Sequence, residues 1–131
     1  MNTSQNGYTS TILVVENEVS NRILIERVLS TRGYRCLSAS NGREALNILD
    51  RERVDLILTD LSMPVLDGYQ TTQLIRARPG LENVPIVAVT AFALADEGEA
   101  ARQIGCTEYL TKPFKPRQLL EVVDRLLHQS A

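Results

Sequence analysis

The chain strings five short apolar runs between stretches with helical spacing: TILVV (11–15), YRCLSA (34–39), VDLILT (54–59), VPIVAVT (84–90) and CTEYLT (106–111). That alternation constrains the fold more than any other feature. Apolar runs too short for helices and bounded by turn residues read as buried strands. Between the first two, Val19, Ile23, Leu24, Val28 and Leu29 mark a helix over 18–32, stopped by Gly33. Asn41 can cap a second helix, with Ala45, Leu46, Ile48 and Leu49 as its apolar positions. A third is expected over 67–78, closed by Pro79 and Gly80, and a fourth over 95–104, ending at Gly105. A fifth is expected over 116–127, its stripe formed by Leu119, Leu120, Val122, Val123, Leu126 and Leu127. Strands and helices in strict alternation predict an α/β fold, a doubly wound five-stranded parallel sheet covered on both faces, with right-handed crossovers.

A length of 131 residues suits one core. A net charge of −2 gives no basic patch for direct nucleic-acid binding. No apolar run approaches the ~18 residues of a membrane span. The opening MNTSQNGYTS is polar, unlike a secretory signal, and reads as a flexible lead-in over 1–10. The domain is expected over 11–128 with no output domain, and the cytoplasm is the default compartment. Cys36 and Cys106 lack metal spacing and read as small buried hydrophobes.

In an open α/β sheet, chemistry collects beyond the carboxyl ends of the strands. The first run is followed by Glu16, Asn17 and Glu18, the third by Asp60, the fourth ends in Thr90 with Ala91 next, and the fifth is followed by Lys112. The second delivers only Ser38 and Ser40. Acid and amide oxygens, a hydroxyl and an ammonium at one edge suit phosphoryl transfer. A hard divalent cation takes oxygen ligands, and a carboxylate can be the nucleophile toward phosphorus. Asp60, the only acid ending the most apolar strand, is then the natural nucleophile, with Lys112 and Thr90 pairing with phosphoryl oxygens.

The stretches ILVVEN (12–17), LILTDLSMPVLDG (56–68), VPIVAVTAFA (84–93) and YLTKPF (109–114) resemble the receiver domain of two-component response regulators. The resemblance covers roughly residues 11 to 127, and within the family it is similar to stand-alone receivers of the cell-division type and to receivers fused to hybrid kinases. It implies a flavodoxin-like sheet in the order 2-1-3-4-5. Asp60 would accept phosphate from a histidine kinase or histidine phosphotransfer protein. Mg²⁺ or Mn²⁺ would be held by Glu16, Asn17, Asp60 and the backbone carbonyl of Ser62, while Thr90, Ala91 and Lys112 would bind the phosphoryl group. Thr90 and Tyr109 would form the switch that remodels the face of the fourth helix, fifth strand and fifth helix for a downstream protein. Such a domain is a signalling module and not an enzyme beyond its own phosphorylation and dephosphorylation.

Blander readings stand beside these. Asp60 could cap a turn, Lys112 could be a solvated strand-end lysine, and Tyr109 could be half-buried packing. Met63 and Pro64 shape the loop after Asp60. His128 and the helix charges Arg22, Glu26, Arg27, Glu97, Glu99 and Arg102 read as solvated. The chain departs from the family at Asn17, where a second acid is usual. Either metal binding weakens, or Glu18 supplies the charge through a bridging water. The alternative function is a pseudo-receiver that binds partners without phosphorylation. A haloacid-type phosphatase also forms an aspartyl phosphate, but it wants an acid two residues after its nucleophile, where this chain has Ser62.

Overall fold

The computed structural model describes residues 10–61, 68–90 and 105–128. Its elements run β1 (Thr11–Val15), α1 (Val19–Ser30), β2 (Arg35–Ala39), α2 (Gly42–Leu49), β3 (Leu56–Asp60), α3 (Gly68–Arg76), β4 (Ile86–Thr90), β5 (Glu108–Thr111) and α4 (Pro116–His128). The expected helix over 95–104 lies outside the described residues, so α4 here is the fifth helix of the sequence reading. Strand order is β2-β1-β3-β4-β5, and every neighbouring pair is parallel. Each expected strand is present: β1 has the expected bounds, and the other four begin one or two residues later, with β3 running on to include Asp60.

β1, β3 and β4 are buried along their whole length, which is why they read as unbroken apolar runs. Their side chains alternate between two cores. Ile12, Val14, Leu56, Leu58, Val87 and Val89 pack with Ile25 and Leu29 of α1 and Leu119 and Val123 of α4. Leu13, Val15, Ile57, Ile86 and Ala88 pack on the other face with Ala45 of α2, Ile75 of α3 and Cys106. β2, at the sheet edge, is only partly buried, matching its weaker pattern.

Local signals set the element ends. Asn41 Oδ1 accepts the Glu44 N–H at 2.9 Å, capping α2 as expected. Gly33, at φ 80°, closes the turn after α1 by donating to Ser30 O at 2.9 Å. The apolar stripe of α1 needs correction. Ile25 and Leu29 are the residues it buries, whereas Val19, Ile23 and Leu24 are 56%, 42% and 54% exposed. The helix carries more apolar positions than one buried face can hold.

Arg76, at the end of α3, is the principal polar tie on the α2/α3 face. Its guanidinium donates to Gly105 O at 2.9 and 2.7 Å, Leu81 O at 3.0 Å and Val84 O at 2.6 Å. Burial pulls its pKa below the usual arginine value. Gly105 sits at φ 112°, and a Cβ there would meet Arg76 Cγ at 3.0 Å. Cys106 is buried and Cys36 half-buried, neither in a disulfide; burial pushes the Cys36 thiol up to about 11. No helix among the described residues is long and apolar enough to cross a membrane.

Candidate functional site

Main-chain bonds at the sheet edge fix where the polar residues stand. The Glu16 N–H donates to Ala39 O at 3.0 Å, extending the β1–β2 ladder past Val15. Leu61 N–H donates to Val89 O at 3.0 Å, just after Asp60, and Lys112 N–H donates to Thr90 O at 2.7 Å. Strand alternation does the rest. Glu16, Asp60 and Lys112 each lie two residues beyond a member of the α1/α4 core: Val14, Leu58 and Leu110. All three therefore share one side of the sheet.

There they meet. Lys112 Nζ lies 2.9 Å from Asp60 Oδ2 and 3.2 Å from Glu16 Oε1. Glu16 and Asp60 are 2% and 6% exposed, so neither carboxylate can rely on water for its hydrogen bonds. Burial alone would lower the Lys112 pKa; the hydrogen bond and charge of Asp60, then those of Glu16, outweigh it and raise it above the usual lysine value. Two acids against one ammonium leave the cluster one negative charge in excess.

Thr90 and Tyr109 fall on the opposite side by the same alternation. Thr90 is buried, two residues beyond Ala88. Tyr109 pairs with Ala88 in register and packs, half-buried, against the α2/α3 core. Asn17 and Glu18 are exposed. Glu18 is the N-cap of α1, yet its side chain makes no capping hydrogen bond; its N–H donates to Glu16 Oε2 at 3.1 Å. Ser62 and Ala91 lie outside the described residues, as do Met63 and Pro64.

The donor set fits a hard divalent cation in kind, since the Glu16 and Asp60 carboxylates share Lys112 and the Asn17 amide follows Glu16 in the chain. It is lean in charge, because among the described residues no three His, Cys, Asp or Glu cluster together. Any cation entering also has to share both acids with Lys112.

Sequence reasoning missed two features. Arg22, read as solvated, turns back and donates from Nη1 to Glu16 O at 2.8 Å; Glu26 likewise accepts from the Ser38 hydroxyl. Beside Lys112, α1 and the segment after β5 enclose a cleft of about 380 Å³ lined by Asn21, Leu24, Ile25, Lys112, Pro113 and Phe114. The signal for the cleft was present in the surplus of apolar positions on α1.

The response regulator receiver domain model matches residues 12–124. The chain belongs to the response regulator receiver family. Receivers are signalling domains of two-component phosphorelays rather than conventional enzymes. This receiver is 33% identical over 116 residues to the polar-differentiation response regulator DivK of Brucella anthropi, spanning 88% of this chain and 94% of DivK. It is 42% identical over 116 residues to the sensor histidine kinase GacS of Pseudomonas protegens, covering 86% of this chain but 12% of that longer protein. Among solved structures, it matches the receiver domain of a Pseudomonas aeruginosa sensor histidine kinase with a TM-score of 0.84 and 40% identity. That match covers 92% of this receiver and 98% of the other, which was determined with a magnesium ion coordinated in its active site cleft.

Proposed function

We propose that the chain is a phosphorylation-driven switch in which Asp60 accepts a phosphoryl group from a histidine of a kinase or phosphotransfer protein. The observation that carries this reading is the trio in which half-buried Lys112 bridges buried Asp60 and Glu16. An Asp60 oxygen attacks phosphorus as the phosphorus–nitrogen bond to the donor histidine breaks. Lys112 would follow the charge from carboxylate to phosphoryl oxygen, and the Thr90 hydroxyl and the Ala91 N–H would donate to the phosphoryl group. A divalent cation, Mg²⁺ or Mn²⁺, held by Glu16, Asn17, Asp60 and the Ser62 carbonyl, would neutralise phosphoryl charge. The magnesium in the Pseudomonas aeruginosa receiver supports that assignment.

Thr90 and Tyr109 then couple the site to the opposite side of the sheet. In this reading a downstream protein docks on the switched surface that includes β5 and α4; its third part, the helix expected over 95–104, lies outside the described residues. The apolar cleft beside Lys112, with exposed Val19, Ile23 and Leu24, supports docking of the phosphodonor on α1.

The test is intact-protein mass after incubation with a small acyl phosphate and Mg²⁺. The wild type should gain one phosphoryl mass, and Asp60→Ala should not. A second reading, a receiver that binds partners without phosphorylation, is favoured by one residue, the amide Asn17. No mass gain at any Mg²⁺ concentration, with partner binding unchanged in Asp60→Ala, would establish it in place of the first.

A further inference from the structure

Glu16 is held at four points. Its N–H is held by Ala39 O, its Oε2 by the Glu18 N–H and its Oε1 by Lys112. Its carbonyl oxygen is taken by the guanidinium of Arg22 at 2.8 Å, from one turn into α1.

The Glu16 carbonyl and the Asn17 N–H belong to one planar peptide unit. Fixing the oxygen fixes that plane, and with it the point from which Asn17 departs. The same unit leads into the Glu18 N–H that holds Glu16 Oε2. Arginine suits the task, because its weakly hydrated, forked donors lose less on partial burial than an ammonium does.

We propose that Arg22 is a positioning residue, which holds the turn between β1 and α1 so that the Glu16 carboxylate and the Asn17 amide are preset for the cation. This rests on the receiver reading of the site. A carbonyl clamp and a mere nearby charge have opposite consequences. A cation beside two acids repels an incoming metal, so removing it would tighten Mg²⁺ binding. A lost clamp frees the peptide plane and weakens binding.

The experiment uses the full chain with Arg22→Met, which keeps the aliphatic stem, and Arg22→Lys, which can still donate. Mg²⁺ affinity is measured by titration calorimetry and turn stability by hydrogen exchange at the Glu18 amide. Arg22→Met should weaken Mg²⁺ about tenfold, the usual scale for a group supporting a metal ligand, and should speed Glu18 exchange. Arg22→Lys should return to within about threefold of wild type. Unchanged or tighter Mg²⁺ binding in Arg22→Met overturns the proposal, as does failure of lysine to rescue. If the wild type takes no phosphate from any donor, the switch reading falls, while the order of Mg²⁺ affinities and exchange rates still judges Arg22.

Discussion

Lys112 Nζ reaches over β4 to lie 2.9 Å from Asp60 Oδ2, joining the end of the last strand to the middle of the sheet. The ammonium also takes Glu16 at 3.2 Å, so one cation bridges two buried acids. Replacing it with methionine leaves those acids facing each other. Lys112→Met should lose about 2 kcal/mol at neutral pH, below the range for a fully buried pair because the lysine side chain is 25% exposed. It should also bind Mg²⁺ more tightly than wild type, since ammonium and metal compete for the same oxygens. Urea melts with and without Mg²⁺ check both; equal stability in the absence of metal would contradict the first.

The raised Lys112 pKa has a signed consequence. A lysine whose folded value exceeds its unfolded value, about 10.4, contributes its full stabilisation below that unfolded value. The contribution is lost as pH rises through the folded value. Tyr34, raised by burial and by its hydrogen bond to Asp124, and Cys36 titrate with the same sign. The comparison is therefore between wild type and Lys112→Gln. Their difference in urea midpoint should be constant from about pH 7 to 9 and shrink above about pH 10.5. A difference that persists undiminished at pH 12 would show that the ion pair is not its source.

Asn17→Asp adds an anion where the present site has only two buried acids. A favourable interaction of about 1.4 kcal/mol corresponds to a tenfold change, and Mg²⁺ affinity should rise by about that factor. Labelling by an acyl phosphate should then saturate at lower Mg²⁺. Coincident Mg²⁺ titrations of the two proteins would mean that the amide costs nothing, and would turn attention to the uncommitted Glu18 carboxylate.

Arg76 predicts a stability effect separable from the site. Arg76→Met strands the carbonyls of Gly105, Leu81 and Val84, and should cost about 2–4 kcal/mol. Gly105→Ala should cost about 1–2 kcal/mol, because its φ is 112° and the new Cβ presses on Arg76. Phosphate labelling of the folded fraction at saturating Mg²⁺ should stay within about twofold of wild type in both. A much larger loss of labelling would place Arg76 in the switch.

The fold was legible because β1, β3 and β4 are buried on both faces and are apolar apart from threonines and the terminal Asp60. Glu16, Asp60 and Lys112 were legible for a complementary reason: Glu16 follows β1, Asp60 ends β3 and Lys112 follows β5, and parallel strands bring those ends together. Arg22 was not. Its partner is a backbone carbonyl, which has no signature in sequence, and its neighbours on the helix are solvated. The outward turn of Val19, Ile23 and Leu24 was hidden similarly, because spacing tells which residues share a face but not which face meets the sheet. Asn41 capping α2 was readable because a cap is a contact within four residues.

The strand order also bears on how the domain comes off the ribosome. Synthesis delivers Glu16 and Asp60 to the emerging sheet many residues before Lys112, the cation they share, has been made. Until β5 adds to the edge formed by β4, the nascent domain carries an acid pair whose ions find their counter-charge only in water or bound metal. Pairing of the last strand is thus the step that brings the pocket this cation, and a chain halted before it holds both acids without their lysine.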